Sequence, residues 1–207
     1  MKTSNYILIA FFSFIIGSIL VLFIAAIGHE NKSYGGSYED VVVQKEYSLE
    51  DFSVIVIEPE THIEFNSSEK NSLSFFHSKD VEANEKPFRI SNDTLFTFQT
   101  AALDHRQILV SGNNLSAVIV KKGSLFRAVR FNSETLSVDL QQAKFTVDES
   151  EINQLNIQGD KAEIWIHTTK IDILSARLKN ESTLDIYRNA NKIDIEKDET
   201  SRYSLYH

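Results

Sequence analysis

The fold is decided by residues 117–192, which read AVIVKKGSLFRAVRFNSET, LSVDLQQAKFTVDESEINQ, LNIQGDKAEIWIHTTKIDI and LSARLKNESTLDIYRNANK when the sequence is cut into four rows of equal length. Apolar residues recur at the same places in successive rows, mostly as pairs separated by one other residue. This alternation is typical of a strand with one buried face. The first column holds Ala117-x-Ile119, Leu136-x-Val138, Leu155-x-Ile157, Leu174-x-Ala176 and Ile193-x-Ile195; the second holds Phe126-x-Ala128, Phe145-x-Val147, Ile164-x-Ile166 and, one residue late, Leu184-x-Ile186; the third holds Ile152, Ile171 and Ala190.

Three recurring columns predict an all-β solenoid with about 19 residues per turn and three faces. Each turn would lay short strands on successive faces, and neighbouring turns would stack about 4.8 Å apart. Each fully buried Leu, Ile or Phe in a column would contribute roughly 1.5 to 3 kcal/mol by leaving water. An antiparallel meander or sandwich is the alternative, because it also produces alternating apolar pairs at short, similar intervals.

The stretch from residue 41 to residue 97 carries shorter runs of the same alternation, and Phe52 to Thr97 would form the first turns or an N-terminal cap. The solenoid domain is therefore expected to span residues 41–207. The aromatic residues Tyr203 and Tyr206, with His207, would cap the last turn, since solenoids need their terminal rows covered. Glycine is scarce from residue 52 to residue 195, so we expect few left-handed corners.

The order of the early strands carries a resemblance to a known family. The runs are Phe52-Ser-Val-Ile-Val-Ile57, Thr61-His-Ile63-Glu-Phe65, Leu73-Ser-Phe75 and Phe88-Arg-Ile90-Ser-Asn92-Asp93-Thr94-Leu95-Phe96. With the stacked repeats that follow, this order resembles the bacterial family of auto-transporter adhesins with a head GIN domain, from about Phe52 to Ile195. The resemblance implies a right-handed parallel β-helix on an exported protein.

The N-terminal sequence predicts a single membrane-spanning helix. Residues 6–27 contain no charged residue, and at about 1.5 Å per residue they would span the bilayer core of about 30 Å. Lys2 favours a cytoplasmic stub at residues 1–5, so the C-terminal domain would be extracytoplasmic, behind a flexible tether at residues 28–40. A cleaved signal peptide is the alternative, although its apolar core is usually shorter. Either alternative predicts export.

Composition excludes several kinds of partner and chemistry. The formal charge of −8 argues against a nucleic-acid partner, because binding to phosphates needs clustered Lys and Arg. The absence of Cys excludes disulfides, thiolate metal sites and thiol nucleophiles. No glycine-rich phosphate loop or nucleophile elbow occurs, so no cofactor and no enzymatic activity is expected. His62, His77, His105 and His167 lack metal-ligand spacing, and no metal site is predicted.

The densest positive charge lies at Lys121, Lys122, Arg127 and Arg130. These four cations are the candidate binding residues, with an acidic glycan or a lipid surface as the ligand. The alternative is that they protect a strand edge in solvent.

Acidic residues are the other candidates for chemistry. Asp148 and His167 are separated by one repeat length and would be neighbours in adjacent turns. The carboxylate could orient the imidazole for base catalysis, and a solvated ion pair is the simpler interpretation. The outward columns mix charges, which is typical of a solvated face and not of an acid cluster. These columns are Asp139, Gln158, Arg177 and Glu196; Lys144, Glu163 and Ser182; Lys161, Asn180 and Glu199; and the corner ladder Asn153, Asp172 and Asn191.

Together these observations predict a membrane-anchored, extracytoplasmic β-solenoid that acts as a non-catalytic binding or adhesion-like module of the bacterial cell envelope. Its partners would be the lipid bilayer, through residues 6–27, and an envelope glycan or protein. Two alternatives stay open. One is a structural spacer or assembly subunit of an envelope complex, and the other is a polysaccharide-acting β-helix enzyme.

Overall fold

The protein is described from a computed structural model that covers residues 42–78, 85–100, 103, 107–187 and 190–206. The described chain is all-β, as the alternating pattern predicts. Its strands are β1 (Val42–Ser48), β2 (Val54–Ile57), β3 (His62–Ser67), β4 (Ser72–Ser78), β5 (Phe88–Ser91), β6 (Thr94–Thr97), β7 (Ile108–Gly112), β8 (Ala117–Val120), β9 (Leu125–Val129), β10 (Asn132–Gln141), β11 (Lys144–Asp148), β12 (Glu151–Asp160), β13 (Glu163–Ile166), β14 (Lys170–Lys179), β15 (Thr183–Ile186), β16 (Lys192–Lys197) and β17 (Arg202–Leu205).

From β8 onward the chain alternates between two sheets and forms a β-solenoid. Sheet A has the strand order β1-β4-β7-β3-β9-β11-β13-β15-β17, and sheet B has the order β16-β14-β12-β10-β8-β2-β6-β5. Strands of successive turns pair in parallel, and Leu136, Leu155 and Leu174 stand above one another, each one repeat length after the last. The predicted solenoid and its repeat are therefore confirmed, and the antiparallel alternative is wrong for these rows.

The three predicted columns correspond to inward-facing positions of the two sheets. Leu155 and Ile164 are buried in sheets B and A respectively, while Ile152 of the third column lies in the first part of the long strand β12. Asn153 and Gln154, the next two residues, are both exposed, so the strand breaks its alternation and bends there. The third face is thus the leading segment of the long strands.

The predicted column is wrong in its first row. Val118 and Val120 are buried and pair with Val138 and Leu140, while Ala117 faces outward. The sequence separation between paired residues of β8 and β10 is one residue longer than the separation between paired residues of the later strands of sheet B. The reason is that the corner between β8 and β9 has one residue more than the corner that follows β10. The later slip, which places Leu184 opposite Ile164, is confirmed. The same slip moves the second predicted outward column by one residue. Ser182, which was expected to face outward in that column, is therefore buried.

The N-terminal strands form the first turns and a cap, and they do so out of sequence order. The turn β2/β3 lies between the turn β6/β7 and the turn β8/β9, with parallel pairing on both sides. The strands β1 and β4 extend sheet A by antiparallel pairing, and β5 extends sheet B in the same way. One end of the solenoid is therefore closed by antiparallel strands.

The opposite end is formed by β16 and β17. Of the predicted aromatic cap, Tyr203 lies over the preceding turn and Tyr206 does not. Tyr203 stands above buried Leu184 but is 46% exposed. Tyr206 lies on the outer surface, where its ring stacks on that of Tyr187 at 4.7 Å. His207, the third residue of the predicted cap, lies outside the described residues.

Left-handed corners are common, contrary to the expectation from the scarcity of glycine. The corner between sheets B and A has positive φ at Gly123, Gln142 and Lys161 in successive turns, and at both Asn180 and Glu181 in the turn that follows. A left-handed residue other than glycine costs about 1 to 2 kcal/mol. The corner offsets this cost with hydrogen bonds between turns, because the Gln142 N–H donates to the carbonyl of Asp160 at 2.8 Å and the Lys161 N–H donates to that of Lys179 at 3.1 Å.

Buried hydroxyl groups satisfy the backbone at the same corner. Ser182 is fully buried, and its Oγ accepts a hydrogen bond from the backbone N–H of Ala162 at 3.1 Å and donates to the carbonyl of Lys179 at 2.6 Å. Nearer the N-terminus, Ser124 Oγ accepts a hydrogen bond from the backbone N–H of Thr61 in the neighbouring turn at 3.1 Å. Each of these buried side chains therefore links two turns of the solenoid.

We expect Ser182→Ala to lower the free energy of unfolding by about 1 to 3 kcal/mol, because it leaves the buried N–H of Ala162 without its acceptor. Urea unfolding of the purified protein measures this loss. Ser137→Ala is the matched control, since Ser137 is exposed on sheet B and should change stability by less than about 0.5 kcal/mol. Equal effects of the two variants would contradict the assigned role of the corner hydroxyl.

The predicted stub, membrane span and tether at residues 1–5, 6–27 and 28–40 lie outside the described residues. Within the described ranges, no helix has the length and apolar character needed to cross a bilayer.

Candidate binding surface

A groove of about 580 Å³ runs across the outer face of sheet B, from β8 to β16. Two columns of outward side chains line it, and each takes one residue from each turn. Both columns begin with an apolar residue on β8 and continue with polar or charged residues. The first column is Ala117, Ser137, Asn156, Ser175 and Asp194, and the second is Ile119, Asp139, Gln158, Arg177 and Glu196.

Ion pairs and hydrogen bonds join exposed side chains of neighbouring turns, and one of these pairs lies in the groove. Arg177 Nε donates to Glu196 at 2.9 Å, and both side chains are 67% exposed. At the neighbouring corner, Asn191 Nδ2 donates to Asp172 Oδ1 at 2.8 Å. On sheet A, Lys144 pairs with Glu163 at 2.9 Å. The structure thus confirms the mixed-sign column of Asp139, Gln158, Arg177 and Glu196, the Lys144 and Glu163 part of the second column, and the Asp172–Asn191 part of the corner ladder. Such exposed pairs contribute little stability, and their main effect here is to orient polar groups.

The four candidate cations do not form one surface patch. Lys121, at the corner after β8, pairs with Glu58 at 2.8 Å, and Arg127, on the outer face of sheet A, pairs with Glu64 at 3.6 Å. Lys122 lies beside Lys121, whereas Arg130 is at the corner after β9. Among the described residues, no ion pair is formed by Lys122 or Arg130. Their binding of an acidic glycan or lipid stays a prediction.

Asp148 and His167 are neighbours in adjacent turns, but each is engaged elsewhere. Asp148 accepts hydrogen bonds from Thr168 Oγ1 at 2.5 Å and from the N–H of Glu149 at 2.9 Å. The hydrogen bond from Thr168 is the main reason why the pKa of Asp148 lies below its ordinary value, with a smaller contribution from His167. The His167 ring stacks on that of Tyr187 at 4.9 Å. This arrangement orders a corner and offers no carboxylate that positions the imidazole.

In the described part of the chain, no three His, Cys, Asp or Glu side chains converge where a metal ion could be held. His62 lies on β3 and His77 on β4, on strands separated by β7. His105 lies outside the described residues.

Two features of the surface were not found from the sequence. The outward column that begins at Asp139 was predicted, but its position in a groove was not, because concavity depends on how the sheet curves. The stack of His167, Tyr187 and Tyr206 was also missed. In each turn the ring residue comes directly after the last inward residue of the sheet A strand, and the sequence rows already contain this regularity.

Comparison with known proteins shows the fold. No family model matches the chain, and no curated protein matches it. Its structure is similar to that of a "putative adhesin" from Bacteroides fragilis, with a TM-score of 0.57, 10% identity, and 80% of this chain and 96% of that chain covered. Two further structures cover 80% of this chain: an adhesin of the same description from Parabacteroides merdae (TM-score 0.43, 12% identity, 95% of that chain) and a "putative lipid binding protein" from Parabacteroides distasonis (TM-score 0.43, 8% identity, 93% of that chain).

Proposed function

We propose that this chain is a membrane-anchored, extracytoplasmic binding module of the bacterial cell envelope, and that it binds a glycan without catalysis. The groove on sheet B carries this proposal, because it is a concave surface on which the outward residues of β10, β12, β14 and β16 present hydroxyl, amide and charged groups, with Ala117 and Ile119 at the β8 end. The B. fragilis protein with the same fold is described as an adhesin, which is consistent with a binding role. The anchor would be residues 6–27, and the coil would be right-handed.

A glycan suits the chemistry of the groove better than an apolar ligand does. Ser137, Asn156 and Ser175 offer groups that both donate and accept hydrogen bonds, as sugar hydroxyls require. These groups repeat at the turn spacing of about 4.8 Å. The repeated polar floor would let an extended polymer lie across several turns and bond to each of them in the same way.

Titration calorimetry on the detergent-solubilised full chain tests this proposal. The ligands are soluble fragments of the envelope polysaccharides of the bacterium that makes the protein. Ser175→Trp, which fills the floor of the groove, should weaken binding at least tenfold. Thr146→Trp adds the same bulk on the outer face of sheet A and should leave binding unchanged. If polysaccharide binding survives Ser175→Trp, the groove is not the binding site. If no envelope fragment binds, the proposal that the ligand is a glycan is wrong.

Export is tested separately by protease digestion of intact and permeabilised cells. Cleavage of the solenoid only after the outer barrier is opened would place it in the periplasm, and cleavage in intact cells would place it on the surface. Protection from protease until the cytoplasmic membrane is broken would contradict the extracytoplasmic assignment.

The two alternative functions make predictions of their own. A structural spacer would crosslink to one defined protein in intact cells. A polysaccharide-acting enzyme would show hydrolysis that His167→Ala removes.

A further inference from the structure

At the end of the solenoid formed by β16 and β17, the outer strand edges pair with no other strand of the described residues. β17 is the last strand of sheet A and β16 is the last strand of sheet B among the described residues. The N–H groups of Arg202 and Tyr206 donate to the carbonyls of Ser182 and Ile186 in the preceding turn. Backbone groups alternate in direction along a strand, so the N–H and C=O groups of Tyr203 and Leu205 point away from the stack.

Apolar side chains accompany these free backbone groups. Tyr203 and Leu205 continue the inward columns above Leu184 and Ile186, both of which are buried. At this end, however, Tyr203 is 46% exposed and Leu205 is 40% exposed. An open edge with a free backbone ladder and exposed apolar residues is the kind of surface that pairs with another strand.

We propose that two copies of this chain join through this end, with β17 of each copy paired antiparallel about a two-fold axis at Ser204. In this register Tyr203 lies opposite Leu205 of the second copy, and the two residues exchange both backbone hydrogen bonds. The same contact occurs twice because of the symmetry. The strand is thus complementary to itself in its side chains and in its hydrogen-bonding groups.

The outward residues of β17 match in the same register. Arg202 lies opposite Tyr206 of the second copy. One face of the Tyr206 ring stacks on Tyr187, and no ring or cation among the described residues stacks on its other face. A guanidinium over that face would form a cation–π contact and extend the aromatic stack across the axis.

Charge does not oppose self-association at this end. The edge strands β16 (KIDIEK) and β17 (RYSL) carry three cations and two carboxylates. The corner between them adds Asp198 and Glu199, so the whole turn carries a net charge of only −1, although the chain carries −8. One turn of about 19 residues is slightly smaller than one side of a standard interface, so we expect weak and reversible association.

Disulfide trapping tests the register directly, because the chain contains no Cys of its own. In the proposed pairing Ser204 faces Ser204 of the second copy as a non-hydrogen-bonded pair, with Cα atoms about 4.5 Å apart, which a disulfide can bridge. The detergent-solubilised full chain with Ser204→Cys should therefore give mostly disulfide-linked dimer when it is oxidised with diamide. Reduction should return the monomer.

Asp185→Cys is the matched control, since Asp185 lies one turn back in the same column. Its Cα atoms would be about 14 Å apart in the dimer, so we expect at least tenfold less crosslinking. Adding Leu205→Lys to Ser204→Cys should also reduce the crosslink at least tenfold by placing a charge in the interface. The proposal is overturned by a monomeric Ser204→Cys protein, by equal yields from the two cysteine positions, or by a yield that Leu205→Lys leaves unchanged.

Discussion

Replacing Leu155 with Asp is expected to unfold the solenoid. Leu155 is fully buried between Leu136 and Leu174 in the central column of sheet B. The change removes about 1.5 to 3 kcal/mol of apolar burial and adds an ionisable group without a partner, which costs several kcal/mol more. We expect a loss of more than about 4 kcal/mol, which is comparable to the whole stability of many domains.

Circular dichroism and thermal melting of the purified protein measure this effect. Gln158→Asp is the control, because Gln158 lies on the same strand, faces the groove and pairs in register with Arg177. The control variant should melt close to the original protein. If Leu155→Asp kept both the spectrum and the melting temperature of the original, the inward assignment of the column would be wrong.

Phe126→Ala is expected to cost about 3 to 5 kcal/mol. Phe126 is fully buried between two other aromatic rings of sheet A, with centroids 6.3 Å from Phe65 and 6.0 Å from Phe145. Removing the ring leaves a cavity that the closely spaced turns cannot close, since their separation is set by backbone hydrogen bonds. It also removes the ring contact with Phe65, one of the side-chain contacts between the N-terminal turn β2/β3 and the regular rows.

Urea unfolding measures the cost of this change, and Phe76→Ala is its control. Phe76 lies on β4 and is 40% exposed, so its truncation should cost less than about 1 kcal/mol. Similar losses from the two variants would show that the internal aromatic stack does not support the structure as described.

The regular rows could be predicted from the sequence because each turn repeats the same burial pattern. Leu136, Leu155 and Leu174 occupy equivalent environments, so their constant spacing reports the ladder directly. The prediction of the inward residues in the first row was wrong for a physical reason. All four residues from Ala117 to Val120 are apolar, so alternation does not indicate which pair faces inward, and the longer corner after them was not visible.

The order of the N-terminal turns could not be predicted in the same way. Val54 pairs with both Thr94 and Ala117, which are distant from it and from each other along the chain. No repeat links these segments, because each pairing is decided by how the completed turns fit together. The left-handed corners were missed for a related reason, since the hydrogen bonds that stabilise Gln142 and Lys161 come from the next turn.

The candidate surface was predicted in its composition and missed in its shape. The column of Asp139, Gln158, Arg177 and Glu196 is where the spacing placed it, and two of its members, Arg177 and Glu196, form an ion pair. Its position in a groove follows from the curvature of sheet B, which depends on all the strands together. The corner hydroxyls such as Ser182 were missed because a buried serine and an exposed one look alike in a sequence.

The interleaved N-terminal turns give the molecule an unequal response to mechanical load. If the two ends of the described chain were pulled apart, the rows from β17 back to β10 could peel away singly, each releasing about 19 residues or about 65 Å of chain. The turn β2/β3 cannot leave in this way, because it is clamped between β6/β7 and β8/β9. A load would therefore lengthen the distal part in steps while the base held until it ruptured as one unit.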